Sequence, residues 1–241
     1  MGHISSSSRA FFVTGTDTEV GKTFVTVGLL HALKQKEYKT AGYKPIAAGC
    51  RLTNEGLRNE DALALQLHSS LDLSYDEVNP LTFEAPIAPH LAAKHFNLNE
   101  EESFISIDLV REGFVHLMGK KPDVLITEGA GGWRLPLGEN FSGKPKFLSE
   151  FVKERNLAVI LVVGLRLGCL NHAVLTAESI KNDGLKIAGW VANHIESDMP
   201  FLEENIESLK TLIDAPLLGS IPRLGAPQEC ANYLDISLLS L

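Results

Sequence analysis

The chain has 241 residues, of which 44% are hydrophobic and 22% charged, a composition typical of a folded protein with a sizeable core. Its net charge of −8, from 22 basic and 30 acidic side chains, argues against general nucleic-acid binding, which depends on clustered Lys and Arg. Three widely spaced cysteines and the lack of an apolar run of ~20 residues predict a cytoplasmic protein without disulfides, zinc or membrane contact.

The first half of the sequence alternates short apolar runs with helical patterns. A polar, Ser-rich tail over residues 1–9 is expected to be flexible. Val25, Leu29 and Leu33 have the spacing of a helix face. The elements predicted here, in chain order, are strand Ala10–Val13, loop Gly15–Lys22, helix Thr23–Lys36, strand Thr40–Lys44, helix Glu60–Leu67, an irregular Pro-rich stretch Asn79–Pro89, helix Glu101–Met118 and strand Asp123–Thr127, followed by glycines 129, 131 and 132.

The second half repeats the alternation. The continuous apolar run Ala158–Val163 is typical of a strand covered on both faces. Strands alternating with helices predict an α/β fold with a mostly parallel sheet flanked by helices on both faces, the three-layer sandwich of P-loop NTPases, as one domain over residues 10–241. The remaining predicted elements are helix Asn171–Lys181, strand Ile187–Ala192, helix Glu203–Leu212 and strand Leu217–Ile221.

A candidate phosphate-binding loop runs from Gly15 to Thr23, between the first strand and the first helix. Backbone N–H groups of such a loop converge on phosphate oxygens, Lys22 would neutralise the β and γ oxygens, and the Thr23 hydroxyl would bind Mg²⁺. The strict pattern has glycine at position 16, where this chain has Thr16 and places the glycine one residue earlier. A chance Gly-Lys-Thr is the alternative, and the flanking strand and helix argue against it.

Charged residues follow the strands that neighbour this loop. Glu128 comes directly after a predicted strand, at the edge where open α/β sheets bind ligands, so it is a candidate magnesium ligand. Asp61 begins a predicted helix and Lys44 closes a strand. Taken alone, helix capping by Asp61 and solvation of Lys44 are the simpler interpretations. At this edge, Lys44 is a candidate for binding carboxylate, carbamate or phosphate.

Together, seven segments resemble the dethiobiotin synthetase family over nearly the whole chain after the tail. They are TGTDTEVGKT (14–23), AGYKP (41–45), GLRNEDALALQ (56–66), EGAGGW (128–133), ILVVGLRLGCLNHAVLT (160–176), GWVAN (189–193) and APLLGSIPRL (215–224). The resemblance implies that 7,8-diaminononanoate, CO₂ and ATP give dethiobiotin, ADP and phosphate through a carbamate and a carbamic–phosphoric anhydride. It also implies a homodimer with active sites at the subunit interface.

The resemblance assigns roles to individual residues. Lys44 and Lys22 would be catalytic, and Thr23, Asp61 and Glu128 would hold the metal. The expected ATP contacts are Glu19, Val20, Gly21, Lys22, Thr23, Phe24, Asp61, Glu128, Gly129, Ala130, Gly131, Asn193, Pro222, Arg223 and Leu224. The expected substrate contacts are Thr18, Lys44 and Ala48, with Gly168, Cys169, Leu170 and Asn171 supplied by the neighbouring subunit.

Some positions have simpler interpretations or depart from the family. Cys169 and Trp133 are expected to be packing residues in the first place. Ala48 stands where the family has a substrate-contacting serine, so a side-chain hydrogen bond there is absent or is replaced by backbone. Losing one such bond costs on the order of 1 kcal/mol, too little to abolish activity. His194 follows Asn193 where an acid is expected.

Other nucleotide-binding classes are less consistent with the sequence. No NKxD guanine-recognition motif is present, and Asp17 occupies the position of the second lysine of partitioning ATPases. Another ATP-dependent ligase or amidotransferase-type domain stays open, although such chains usually continue into a glutaminase domain. A non-catalytic regulator that dimerises on ATP also stays open, but it would leave Lys44 and the loop at Gly168 unexplained.

Overall fold

A computed structural model describes residues 8–96, 105–139 and 143–241. The strands are β1 (Arg9–Gly15), β2 (Thr40–Tyr43), β3 (Ile46–Ala48), β4 (Arg51–Thr53), β5 (Gly56–Arg58), β6 (Leu81–Phe83), β7 (Val124–Gly132), β8 (Pro136–Glu139), β9 (Pro145–Phe147), β10 (Ala158–Leu165), β11 (Ile187–His194) and β12 (Leu217–Ile221). The helices are α1 (Lys22–Gln35), α2 (Glu60–His68), α3 (Tyr75–Val78), α4 (Pro89–Phe96), α5 (Ile107–Gly119), α6 (Leu148–Glu154), α7 (Cys169–Asn182) and α8 (Leu202–Leu212).

The centre of the molecule is a six-stranded sheet in the order β12-β11-β10-β1-β7-β2, in which each neighbouring pair is parallel. Its inner strands are buried along nearly their whole length, and the run 158–165 forms the heart of the core. Strands covered on both faces need apolar residues throughout, which explains the uninterrupted apolar runs. The predicted mostly parallel sheet flanked by helices is confirmed.

The order of the strands brings the charged candidates to one edge. β7 lies between β1 and β2, with Glu128 opposite Val13 and Thr127 opposite Tyr43. The segments that continue from β1 and β2 therefore start beside Glu128. They are the phosphate loop and Lys44, so three parts of the candidate site converge through sheet register alone.

Several predicted boundaries differ from the structure. Arg9 belongs to β1, because its N–H continues the backbone bonding to Asp123 at 2.9 Å; residues 1–7 of the predicted tail lie outside the described residues. The glycines after Glu128 extend β7 instead of following it. The stretch predicted to be irregular contains β6. The helix predicted from Glu101 begins at Ile107, since Ile105 bonds to Leu137 at 2.8 Å, while 101–104 lie outside the described residues.

The three cysteines are free and buried, which confirms the prediction that they form no disulfide. Cys230 lies in a 3-10 segment (Pro227–Tyr233) that covers α1, where a Cβ at Gly28 would lie 2.6 Å from its Sγ. Burial raises the pKa of the Cys230 thiol to about 12, so it acts as a packing residue. Over the described ranges, no helix has both the length and the apolar character that crossing a membrane requires.

Glu77 joins α3 to the C-terminal end of α5. Its Oε1 lies 2.7 Å from His116 Nε2 and accepts a hydrogen bond from Lys120, and its Oε2 accepts from the Ser74 N–H at 2.8 Å. The Lys120 hydrogen bond, opposed by partial burial and reinforced by His116 and Ser74, lowers the pKa of Glu77 from 4.5 to about 2. The ionised carboxylate is therefore the form that the folded chain stabilises.

This shift predicts a pH-dependent contribution to stability. Because the pKa of Glu77 is lower in the folded chain, its contribution is complete above about pH 5 and is lost as the pH falls toward 2. We expect Glu77→Gln to lower the free energy of unfolding by about 1–2 kcal/mol at pH 7, allowing for partial exposure. Urea unfolding should show this loss shrinking as the pH falls from 5, whereas the exposed control Glu84→Gln changes little. An equal loss at every pH would contradict the assignment.

Candidate functional site

The phosphate loop presents its backbone to the cavity. Gly21 has φ 86° and caps α1 without a side-chain hydrogen bond, so the first N–H groups of the helix point outward. A Cβ at position 21 would lie 2.1 Å from Asn193 Nδ2, so glycine is required here by both conformation and space. A helix start with free N–H groups and a positive dipole end can bind an anion, which is the role predicted for this loop.

Asn193 supports this loop from the neighbouring strand β11. Its Nδ2 donates to the Val20 carbonyl at 2.9 Å, and the side chain is buried. The Val20 side chain is buried in the core, so Val20 can reach a ligand only through its backbone. Phe24 is partly buried and packs against the same core. The structure thus places Asn193 against the phosphate loop, and contact with the adenine base stays a prediction.

Lys44 is the centre of a charge cluster in which Lys44 and Glu128 are buried and Asp61 is partly exposed. Its Nζ lies 2.6 Å from Glu128 Oε1, 3.4 Å from Asp61 Oδ2 and 3.2 Å from the Gly129 carbonyl. Thr23 Oγ1 donates to the same Glu128 oxygen at 2.8 Å. Lys44 is only 4% exposed, so the simpler interpretation of a solvated lysine is wrong.

Asp61 is likewise not a helix cap. The cap of α2 is Asn59, whose Oδ1 accepts from the N–H groups of Asp61 and Ala62 at 3.1 and 3.3 Å. The Asp61 carboxylate is left free of capping and points toward Lys44. The position that the sequence offered as a capping acid therefore belongs to the charge cluster.

The pKa values of the two lysines, Lys22 and Lys44, shift in opposite directions. Burial, aided by the charge of Lys44 and opposed by Glu128 and Asp61, lowers the pKa of Lys22 to about 8. Burial also acts to lower the pKa of Lys44, but Glu128 and Asp61 outweigh it and the net shift is upward. The site therefore favours the charged form of Lys44, while Lys22, whose Nζ donates to the Asp17 carbonyl at 2.9 Å, gains stabilisation from a nearby anion.

The donor set at this edge fits a magnesium ion. Thr23, Asp61 and Glu128 offer only oxygen atoms, which Mg²⁺ prefers. Glu128 Oε2 is buried and has no hydrogen-bond partner among the described residues, a costly arrangement that a cation would relieve. No group of three or more His, Cys, Asp or Glu side chains that could hold a metal occurs in the described ranges, so nucleotide and water oxygens would complete the shell.

A cavity of about 760 Å³ opens above the cluster. A volume of this size suits a nucleotide or another small molecule. The structure brings these predicted residues together in its lining: Thr18, Glu19, Gly21, Lys22, Thr23, Lys44, Ala48, Asp61, Ala130 and Gly131. Sequence reasoning missed the other lining residues: Ala47, Asn59, Pro86, Ile87, Ala88, Pro89 and Leu135. The only sequence signal for the group 86–89 is its prolines, in a stretch noted merely as irregular.

Two predicted segments lie outside this cavity lining. Gly168 has φ 93° and caps α7, which begins at Cys169, two residues before the predicted start. Residues 222–224 follow β12 at the far side of β11. Neither segment lines the cavity, so the roles of Gly168, Cys169, Leu170, Asn171, Pro222, Arg223 and Leu224 stay predictions.

The simpler interpretations of two residues agree with the structure. Cys169 is buried, and Trp133 packs edge-on against Phe12 while its Nε1 donates to Asp183 at 2.9 Å. Of the two departures from the family, Ala48 lines the cavity and its carbonyl accepts from Asn59 Nδ2 at 3.3 Å, so replacement of the substrate bond by backbone stays a prediction. His194 bonds to Ser220 Oγ at 2.8 Å.

The comparisons with known proteins agree with this geometry. A family profile described as an AAA domain matches residues 9–228. The chain is 50% identical over 235 residues to the ATP-dependent dethiobiotin synthetase BioD of Cellvibrio japonicus, covering 97% of this chain and 98% of that protein. It is 48% identical to the protein of the same name from Pseudomonas paraeruginosa, covering 96% and 98%, and 50% identical to that of Alteromonas mediterranea, covering 89% and 92%.

Proposed function

The chain belongs to the family of ATP-dependent dethiobiotin synthetases, and on that premise we propose that it forms dethiobiotin from 7,8-diaminononanoate, CO₂ and ATP. The observation that carries the proposal is the buried Lys44 ammonium group, held between Glu128 and Asp61 at the sheet edge that also bears the phosphate loop. Residues 10–241 act as one catalytic domain.

The reaction proceeds in three balanced steps. One amine of the substrate attacks CO₂ and loses a proton, which gives a carbamate. A carbamate oxygen attacks the γ-phosphorus of ATP, and ADP leaves with the electron pair of the broken P–O bond. The second amine attacks the carbamate carbon, loses a proton and expels phosphate, which closes the cyclic urea.

Lys44 acts as a fixed positive charge in this sequence. The second step brings a carbamate and a triphosphate together, so it depends on neutralisation and positioning more than on proton transfer. Because Glu128 and Asp61 raise the pKa of Lys44, it cannot serve as a base and binds the carbamate as a cation. Thr18 and the backbone at Ala48, both in the cavity lining, position the diamine.

The phosphate loop binds ATP. The N–H groups at the start of α1 and the Lys22 ammonium group bind the β- and γ-phosphates, with Glu19 and the backbone at 129–131 beside them. Asn193 and the segment Pro222, Arg223 and Leu224 contact the adenine base. The bond from Asn193 to the Val20 carbonyl of the loop supports the first contact, and the pairing of β12 with β11, which carries Asn193, supports the second. Thr23, Asp61 and Glu128 hold Mg²⁺, which when bound neutralises phosphate charge.

The carboxylate tail of the substrate is bound by a second copy of the chain. Residues 168–171 begin α7, whose first N–H groups suit a carboxylate. They do not line the cavity of their own chain, and the adjacent Leu167 is 96% exposed. A homodimer that places this loop over the partner's cavity accounts for both facts and puts two active sites at the interface.

One assay tests the proposed function. We expect phosphate release to require both diaminononanoate and bicarbonate, and ¹⁴C from bicarbonate to appear in dethiobiotin. ATP turnover that ignores the diamine would instead favour a regulator or another ATP-dependent ligase. Omitting Mg²⁺ should stop turnover, and a wild-type enzyme fully active in excess chelator would exclude the metal assignment.

A further inference from the structure

Both backbone polar groups of Lys44 are bonded outside the main sheet. Its N–H donates to the Val78 carbonyl at 2.8 Å, and its carbonyl accepts from Asn79 Nδ2 at 2.6 Å. β2 ends at Tyr43 and Pro45 has no N–H, so the sheet ladder cannot fix the peptide that carries Lys44. The amide of Asn79, which is 2% exposed, takes over this role.

Tyr75 extends the contact to the helix that carries Asp61. Its hydroxyl donates to Asn79 Oδ1 at 2.8 Å and accepts from the Asn59 N–H at 2.7 Å. Asn59 in turn caps α2, two residues before Asp61. An unbroken chain of hydrogen bonds therefore runs from the Lys44 carbonyl through Asn79, Tyr75 and Asn59 to the first turn of α2.

Each member of this chain is used fully. Burial raises the pKa of the Tyr75 hydroxyl, which keeps its proton available for Asn79. The Arg58 guanidinium lies over the Tyr75 ring, 4.2 Å from its centroid, which helps to fix the ring plane. A hydrogen-bonded network of this kind favours one geometry, because a rearrangement would leave the buried Asn79 or Tyr75 without a partner.

We propose that Asn79 and Tyr75 are positioning residues that set the distance between the Lys44 ammonium group and the Asp61 carboxylate. The effect on catalysis rests on the proposed function; the effect on geometry does not. Neither side chain lines the cavity or touches Lys44 Nζ, so they act through the backbone of Lys44 and through Asn59. Small misplacements of a reacting group are known to reduce rates steeply.

Tyr75→Phe and Asn79→Asp test this proposal. Tyr75→Phe keeps the ring and removes both hydroxyl bonds, and Asn79→Asp removes the donor to Lys44. We expect kcat for dethiobiotin formation to fall about tenfold in each, while the Kd for an ATP analogue stays within about twofold. The matched control is Tyr43→Phe, because Tyr43 is also buried but its hydroxyl donates to the Val110 carbonyl at 3.0 Å, away from the site. It should lose similar stability and keep its kcat.

Several outcomes would overturn the proposal. These are an unchanged kcat in Tyr75→Phe, an equal loss of kcat in Tyr43→Phe, or a parallel loss of ATP-analogue affinity that marks a general structural defect. A crystal structure of Tyr75→Phe gives a readout independent of activity: we expect the Lys44–Asp61 distance to change from 3.4 Å, and an unchanged distance would refute the proposal. A wild-type enzyme that forms no dethiobiotin would refute the proposed function alone, leaving the structural comparison to decide the positioning role.

Discussion

Lys44→Ala is expected to lower the turnover of ring formation at least about tenfold, a barrier increase of about 1.4 kcal/mol or more. The substitution removes the buried cation, paired with Glu128, to which we assign the binding of the carbamate. The control is Lys39→Ala, because Lys39 is an exposed lysine at the opposite end of β2. Steady-state rates of phosphate release with saturating diamine and ATP measure the effect, and a normal rate would remove Lys44 from the mechanism.

The same substitution should destabilise the fold, and the two effects can be separated. Removing Lys44 leaves the fully buried Glu128 carboxylate without its closest cation, and breaking a buried pair costs about 3–5 kcal/mol. Lys44→Met combined with Glu128→Gln removes both charges, so most of that stability should return in urea unfolding. Turnover should stay low in the double variant. Recovery of both stability and turnover would mean that Lys44 serves only to neutralise Glu128 and that Glu128 is not a required metal ligand.

The inner strands of the sheet were predictable because they follow from continuous apolar runs in the sequence. The apolar runs fix which segments become inner strands, and parallel neighbours deliver their carboxyl ends to one edge. The sequence alone therefore predicts that Lys44, Glu128 and the loop ending at Thr23 lie at the same edge of the sheet. In the structure Lys44 and Thr23 line one cavity and both contact Glu128, and Lys44 is more deeply buried than the sequence alone would suggest.

The missed features depend on contacts between distant segments. β3 pairs with β6 across more than 30 residues, and ladders of three residues leave no periodic signal. The bonds from Asn79 to Lys44 and from Tyr75 to Asn59 are single side-chain contacts, which composition and spacing do not encode. Asp61 was ambiguous for the same reason, since only the structure shows that Asn59 takes the cap.

Lys22→Ala is expected to weaken ATP binding and to lower turnover at least about tenfold. In the described structure the Lys22 ammonium group is buried and rests on the Asp17 carbonyl within the loop, 2.9 Å away. Burial lowers its pKa to about 8, so at pH 7 most molecules carry a charge that burial disfavours. Phosphate oxygens would stabilise the charged ammonium group, and the alanine variant lacks this interaction.

Calorimetry with a non-hydrolysable ATP analogue separates this role from that of Lys44. Lys22→Ala should raise the Kd for the analogue at least about tenfold, whereas Lys44→Ala should change it less, since Lys44 faces the carbamate. Lys36→Ala, an exposed lysine just after the same helix, controls for the loss of positive charge. If Lys22→Ala binds the analogue as tightly as the wild type, the triphosphate lies elsewhere, and the loop from Gly15 to Thr23 loses its assigned function.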